Sequence, residues 1–228
     1  MYYLVDCAKI FVGDFMRIRN VKNKEEFMNN SSYLLKNYLD YKGRWNSLFN
    51  NNNPIYIEIG MGKGKFIIEN AIKFPDINFI GIEKFDNIVV KCLKKIPDNL
   101  NNLIIIRANA LDIDNIFGKE VSKIYLNFSD PWPKNRHVLR RLTSKIFLDK
   151  YKNILIDDAT IEVRTDNRKL FQYSLVSLSS NQFILNYVSL DLHKDNPPLI
   201  TTEYEDKFSS NGMPIYYLEC YNMSKLRK

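Results

Sequence analysis

The chain has little cysteine. Cys7, Cys92 and Cys220 are its three, an odd number without C-x-x-C spacing, so neither a disulfide framework nor a thiolate zinc site is supported, and a reducing compartment is expected. Histidine is scarcer still. His137 and His193 lie far apart and neither falls in a metal-ligand spacing, so no metal is expected. No apolar run approaches the roughly 18 residues that would span a bilayer. Residues 1–15 lack a basic n-region and a small-residue cleavage site, so nothing marks the chain for export and the cytoplasm is the expected compartment. No internal repeat is visible, and no repeat architecture is expected.

What is present fits one globular α/β domain. A length of 228 residues suits a single domain and is short for two. Hydrophobic residues make up 45% and aromatic residues 13%, enough to bury a core, so wholesale disorder is not expected. The net charge of +7 suits a polyanionic partner, but it is also common in proteins that have none. The abundance of Asn, Ile and Lys carries no functional weight, and oligomeric state is left open between monomer and homodimer.

Residues 1–53 read as an extension, with a short helix expected over 33–41 and the polar run Asn50-Asn51-Asn52-Asn53 as a loop before Pro54. Met16 opens the basic stretch Arg17-Ile18-Arg19, which fits a start codon there, with residues 1–15 disordered. Residues 54–228 read as the single catalytic domain. Short β-rich apolar runs alternate there with longer patterned segments, the pattern of β-α-β units around a mostly parallel sheet with helices on both faces. Strands are expected at Ile55–Ile59, 78–82, Leu103–Arg107, 123–127 and 160–165, and helices at Lys65–Lys73, 87–95 and 138–152. The apolar runs 183–190 and 214–221 look like a closing antiparallel hairpin.

The sharpest local feature is Glu58-Ile59-Gly60-Met61-Gly62-Lys63-Gly64, where a strand gives way to a helix. Its glycines stand at i, i+2 and i+4, whereas a dinucleotide fingerprint wants i, i+2 and i+5. A nicotinamide dehydrogenase is therefore disfavoured, and the Glu-x-Gly-x-Gly-x-Gly form resembles the first motif of class I S-adenosylmethionine methyltransferases. Glycines let the backbone approach a bulky ligand, and Glu58 at the strand end can meet a cationic amino acid moiety; a ligand-free turn is the plain alternative. Glu83 closes the second strand nineteen residues after Gly64, near where doubly wound folds place a carboxylate for ribose hydroxyls. Asn109, after the third strand, can read an adenine edge or simply form a turn.

The fourth strand runs into Asn127-Phe128-Ser129-Asp130-Pro131-Trp132-Pro133-Lys134-Asn135-Arg136-His137. Two prolines around a tryptophan stop regular structure and leave Asp130 at the carboxyl edge of the sheet, where open α/β folds bind ligands. The alternatives are a Trp132 that plugs the sheet and an Asp130 that caps a turn. Beyond lie Lys134, Arg136, Arg140, Arg141 and Lys145. Such a run is often a solvated face, but its place beside a ligand site favours contact with phosphates, Arg136, Arg140 and Arg141 among them.

Together these segments resemble the bacterial tRNA (guanine-N7)-methyltransferase family. The resemblance spans roughly residues 42–221 and includes Tyr41-Lys42-Gly43-Arg44-Trp45-Asn46, the glycine loop, the segment from Asn127 to His137, Arg164-Thr165-Asp166-Asn167-Arg168, Ser189-Leu190-Asp191-Leu192-His193 and Thr201-Thr202-Glu203-Tyr204-Glu205. It implies a seven-stranded Rossmann-like methyltransferase fold, S-adenosylmethionine as methyl donor and tRNA as substrate, modified at a guanine of the variable loop. By the same resemblance Glu58, Glu83, Asn109 and Asp130 contact the donor, with Gly60, Gly62 and Gly64 forming the loop around it, and Asp130 is catalytic. Lys134, Asp166, Thr202, Glu203, Tyr204 and Glu205 are assigned to the RNA. Many members carry Asp where this chain has Asn109, which bears on the strength of that contact. Asp166 and Thr202 also read as helix caps, and Glu205 as surface charge. Two other readings stay open: a class I enzyme acting on another base or on an amine, and a catalytically silent RNA-binding module.

Overall fold

The structure is a computed structural model, and it describes residues 23–222. The expected start at Met16 and the expected disorder of residues 1–15 lie outside the described residues. In chain order the elements are α1 (Lys24–Asn30), β1 (Leu34–Leu35), a 3-10 turn (Tyr38–Tyr41), α2 (Asn46–Phe49), β2 (Ile55–Ile59), α3 (Lys65–Lys73), β3 (Asn78–Glu83), α4 (Asp86–Leu93) and β4 (Leu103–Arg107). There follow α5 (Ile113–Ile116), β5 (Val121–Asn127), a 3-10 turn (Asn135–Arg140), α6 (Lys145–Ile154), β6 (Leu155–Thr165), α7 (Arg168–Ser180), β7 (Phe183–Ser189), α8 (Leu192–Asp195), α9 (Glu203–Ser209) and β8 (Tyr216–Asn222).

One sheet runs in the order β1-β4-β3-β2-β5-β6-β8-β7. All pairs are parallel except β6 with β8 and β7 with β8, so the closing hairpin is antiparallel as expected. The pleat divides the apolar residues between two faces. Ile55, Ile57 and Ile59 of β2 join Ile80, Ile82, Ile124, Leu126, Ile161 and Val163 in one core, covered by Phe147 and Leu148 of α6 and Phe171 of α7. Phe79, Ile105 and Tyr125 point the other way and meet Phe66 and Ile67 of α3 and Val89 of α4. Each face has helices to cover it, which is why the strands are apolar on both sides.

The chain order reverses between β2 and β5, which lie side by side but lead outward in opposite directions. That switch point opens a crevice at the carboxyl ends of the strands, the place where doubly wound sheets take their ligands.

Three local outcomes differ from the sequence pattern. Residues 33–41 form β1 and a 3-10 turn instead of a helix, because the free edge of β4 accepts the segment: the Ile105 N–H donates to the Tyr33 carbonyl at 2.8 Å. This adds a short eighth strand to the seven expected. The helix expected over 138–152 is split, with α6 starting only at Lys145. Ser144 Oγ donates to the Leu139 carbonyl, Ser177 Oγ donates to the Thr143 carbonyl at 2.7 Å, and Thr143 bonds Ser174 of α7; these bonds compete with a continuous helix. Finally, β6 starts at Leu155, directly after α6, and shifts register once before continuing along β5.

The segment before β2 also enters the core. Trp45 is 0% exposed, stacks on Phe117 and donates its indole N–H to the Ile116 carbonyl at 3.0 Å. The Glu120 carboxylate accepts from the backbone of Gly43, Trp45 and Gly118.

Candidate active site

At the end of β2 the chain turns through Gly60, Gly62 and Gly64, with φ of 79°, 58° and 82°, all in the left-handed region that side chains disfavour. The loop is pinned to β3, since the N–H groups of Gly60 and Met61 both donate to the Ile82 carbonyl, at 2.8 and 3.1 Å. A Cβ added at Gly60 or Gly62 would meet nothing within 4 Å, so open space lies over this stretch of backbone. Gly64 differs: a Cβ there would overlap Sγ of the buried Cys92. Gly64→Ala is therefore expected to lose about 1–3 kcal/mol of stability through strain and overpacking. The shift in denaturant midpoint measures it, and an unchanged midpoint would contradict this account.

Glu58, one residue before the end of β2, is 2% exposed. Its Oε1 accepts from Nδ2 of Asn127 on β5 at 2.9 Å, while Oε2 is buried with no hydrogen-bond partner. Burial pushes its pKa up to about 8, against the pull of Asn127 and of Arg164. An acceptor left unsatisfied at a sheet edge costs stability and marks a place where a cation would be welcome.

A cleft of about 650 Å³ opens at the switch point, and Gly60, Glu83, Asn109 and Asp130 all lie on its wall. The volume is that of a small-molecule site. Glu58, Gly62 and Gly64 are not on the wall. Glu83 Oε1 accepts from the N–H groups of Lys84 and Phe85, at 2.8 and 3.1 Å, and burial raises its pKa against bonds from Phe85, Lys84 and Gly62. Asn109 accepts from the Leu111 N–H at 3.1 Å, so it forms a turn while also facing the cleft. Apolar Phe85, Leu111 and Leu139, each about half exposed, complete the mouth.

Across the cleft, β5 ends in a strained loop. Phe128 and Trp132 have φ of 49° and 41°, a conformation that costs on the order of 1–3 kcal/mol for each such residue and persists only where the surroundings enforce it. The Phe128 N–H donates to the Arg164 carbonyl at 2.8 Å. Asp130, exposed, stands between the two strained residues. The ring of Tyr204 lies 5.3 Å from that of Phe128. Burial raises the Tyr204 pKa, and the charges of Asp166 and Asp130 raise it further. Asp166, at the end of β6, has its own pKa raised by burial. Phe128 and Asp130 thus line one end of the cleft, with the Tyr204 ring packed on Phe128 and the charges of Asp130 and Asp166 near enough to act on its hydroxyl.

Beyond that end of the cleft the basic residues separate by environment. Lys134, Arg136 and Arg140 are exposed, and Arg140 lies over the Trp132 ring at 4.9 Å. Arg141 is half-buried, and its guanidinium is turned inward.

The segment from Thr202 to Glu205 is built as a capping box opening α9: the Thr202 hydroxyl accepts from the Glu205 N–H and the Glu205 carboxylate accepts from the Thr202 N–H. Glu205 is 0% exposed and pairs with Arg164 at 3.2 Å and with His193 at 2.9 Å. It is therefore no surface charge. Glu203 pairs with Lys63 and Lys95, and Asp206 with Lys65, so α9 is tied to the glycine loop and α3. Of this segment, Tyr204 turns toward Phe128. The N-cap of α7 is Asn167, whose side chain accepts from the Leu170 N–H, and not Asp166.

Comparisons with known proteins bear on the family and the fold. A family described as "Putative methyltransferase" matches residues 52–218. The tRNA (guanine-N(7)-)-methyltransferase of Lysinibacillus sphaericus is 47% identical over 92% of this chain and all of that protein. The proteins of the same name from a Geobacillus species and from Bacillus subtilis are 50% and 47% identical, each over 90% of this chain and over 94% and 98% of theirs. This chain belongs to the tRNA (guanine-N7)-methyltransferase family. In fold it is also similar to the 16S rRNA methyltransferase KamB, with a TM-score of 0.61 at 13% identity over 79% of this chain and 93% of that one. An antibiotic-related methyltransferase gives 0.60 at 18% identity over 78% and 92%.

Three further residues shape the site. Asn127, the last residue of the strand expected over 123–127, holds Glu58. Phe128 supplies an aromatic wall, and Arg164 joins β6 to α9. No local signal marks these three, because each acts on a residue from 36 to 76 positions away. Among the described residues no cluster of His, Cys, Asp or Glu suits a metal, and no helix is long and apolar enough to cross a membrane.

Proposed function

We propose that this chain transfers a methyl group from S-adenosylmethionine to N7 of a guanine in tRNA, in the variable loop by analogy with its family, and does so in the cytoplasm. The observation that carries the reading is one cleft that joins the Gly60 turn and Glu83 to Phe128 and Asp130, with Tyr204 packed on Phe128. The residues fit the donor. Open space lies over Gly60 and Gly62, Glu58 keeps an acceptor without a partner, and a carboxylate and an apolar mouth line the cleft. In this assignment Glu58 faces the cationic amino acid end, Glu83 the ribose hydroxyls and Asn109 the adenine, through the amide group that its turn leaves available.

The donor's sulfonium supplies an electrophilic methyl group. Guanine N7 keeps a lone pair at neutral pH, so no proton has to leave the attacking atom and the protein needs no strong base. What remains is alignment, which can be worth on the order of 7–11 kcal/mol. Asp130 holds the guanine by accepting from its N1 and N2 donors, with the charge of Asp166 also near the Tyr204 hydroxyl, while Tyr204 and Trp132 offer rings for stacking a base drawn out of the RNA fold. Lys134, Arg136 and Arg140 meet phosphates. Thr202, Glu203 and Glu205 serve the RNA through the helix they build, which presents Tyr204.

Incubating the protein with labelled donor and unmodified tRNA, followed by nucleoside mass spectrometry, is expected to yield 7-methylguanosine. A product methylated on an exocyclic amine would reject the assignment. Absence of calorimetric donor binding would favour a silent RNA-binding module.

Burial of Glu58 makes a further expectation for pH. Its folded pKa of about 8, above the ordinary carboxylate value of 4.5, means that the apo fold favours the protonated form. The associated stability is present below about pH 4.5 and is lost as pH rises toward 8. A cation beside Glu58 favours the ionised form, so donor affinity is expected to rise by up to about tenfold per pH unit on approaching pH 8, and to fall above it as the donor's α-amino group loses its proton. Glu58→Gln is expected to flatten the rising limb in calorimetric titrations. An equal slope in wild type and variant would remove Glu58 from this role.

A further inference from the structure

We propose that Arg141 is a positioning residue that holds the Asp130 loop in its working conformation, not a phosphate contact. The inference rests on the functional reading above, in which Asp130 orients the guanine. By sequence Arg141 ends the basic run that begins at Lys134, and charge alone would assign it to RNA. Its geometry assigns it elsewhere. Nε donates to the Pro131 carbonyl at 2.9 Å and Nη2 to the Trp132 carbonyl at 3.1 Å, and the guanidinium carbon lies 4.4 Å from the centre of the Tyr173 ring on α7. Two donors and one face of the planar group are thus committed inside the protein.

The two carbonyls belong to the residues immediately after Asp130, and one of them is Trp132, whose φ of 41° is strained. A loop in that state relaxes unless something fixes its peptide planes. On the strand side the Arg164 carbonyl holds the Phe128 N–H; on the far side Arg141 holds the carbonyls. Asp130 is suspended between these two anchors. A guanidinium suits the task because its rigid fork spans successive carbonyls while its face stacks on a ring, and an ammonium does neither in the same geometry.

The test uses the full chain with tRNA and donor, comparing Arg141→Ala, Arg141→Lys and Tyr173→Leu. Both Arg141 variants are expected to lose kcat on the order of 100-fold, the cost of misplacing a reacting group by about 1 Å. The log–log salt slope of tRNA binding is expected to stay unchanged, and Tyr173→Leu to show a smaller loss of the same kind. The chain has two tryptophans, and Trp45 is 0% exposed, so acrylamide quenching reports mainly on Trp132 and is expected to increase in all three variants. Should Arg141→Ala fail to fold, the other two carry the test. Near wild-type kcat in Arg141→Lys, or an unchanged kcat in Arg141→Ala with a salt slope lower by about one, would overturn the proposal. Quenching needs no turnover: if wild type makes no 7-methylguanosine the functional reading fails, and the clamp is still judged by the exposure of Trp132.

Discussion

Asp130→Ala is expected to lower kcat for 7-methylguanosine formation on the order of 100- to 1000-fold, the scale seen when a preorganised group aimed at the reacting centre is removed. The melting temperature is expected to stay within about 2 °C of wild type, because substitutions at exposed positions usually change stability by no more than about 0.5 kcal/mol. Asp130 is exposed at the carboxyl edge of the sheet and faces the same cleft as Gly60 and Glu83, so its loss leaves the core untouched and removes the group proposed to hold the guanine. Asp130→Asn is expected to be nearly as inactive, since an amide offers a guanine N–H one acceptor where the carboxylate offers two, and adds a donor that clashes with N1 and N2. Single-turnover methylation with saturating donor and tRNA separates this from weakened binding. Near wild-type single-turnover rates in either variant would sink the assignment of guanine alignment to Asp130.

Glu205→Ala is expected to destabilise the protein by about 3–5 kcal/mol, the range for breaking a buried ion pair from one side. For a chain of this size that corresponds to a fall in Tm of roughly 6–20 °C. The carboxylate is 0% exposed and serves Arg164, His193 and the Thr202 N–H together. Without it the Arg164 guanidinium, which is also buried, keeps the Ile200 carbonyl at 3.0 Å and the Phe66 ring but loses its principal counter-charge. The effect reaches the site, because Arg164 lies at the end of β6 and α9 carries Tyr204 to Phe128. Activity is expected to fall together with stability, and Glu205→Gln, which keeps the shape, to lie between. An unchanged Tm with only a raised KM for tRNA would mean instead that Glu205 meets the RNA directly.

These two carboxylates show where sequence was a sufficient guide. Asp130 could be singled out because its surroundings are local: a strand stopped by two prolines leaves one acidic residue at a sheet edge, and no distant partner is needed to say so. Glu205 looked like one charge among several in Glu203-Tyr204-Glu205-Asp206-Lys207. Its burial comes from Arg164 and His193, which are 41 and 12 residues away. Arg141 belongs to the same class, since a basic run reads as one surface until the fold turns a single member inward.

By itself the sequence determined the α/β alternation, the glycine turn with its i, i+2, i+4 spacing, the strand-end carboxylates Glu58 and Glu83 and the loop that bears Asp130, because hydrophobic period and turn chemistry are properties of neighbouring residues. Tertiary structure alone decided that Asn127 restrains Glu58, that the Tyr204 ring packs on Phe128, and that Arg141 bonds the carbonyls of Pro131 and Trp132. Those contacts follow from placing β2 beside β5 and folding α9 back over the sheet end, and strand order is a global outcome of packing two apolar faces, which no local pattern encodes.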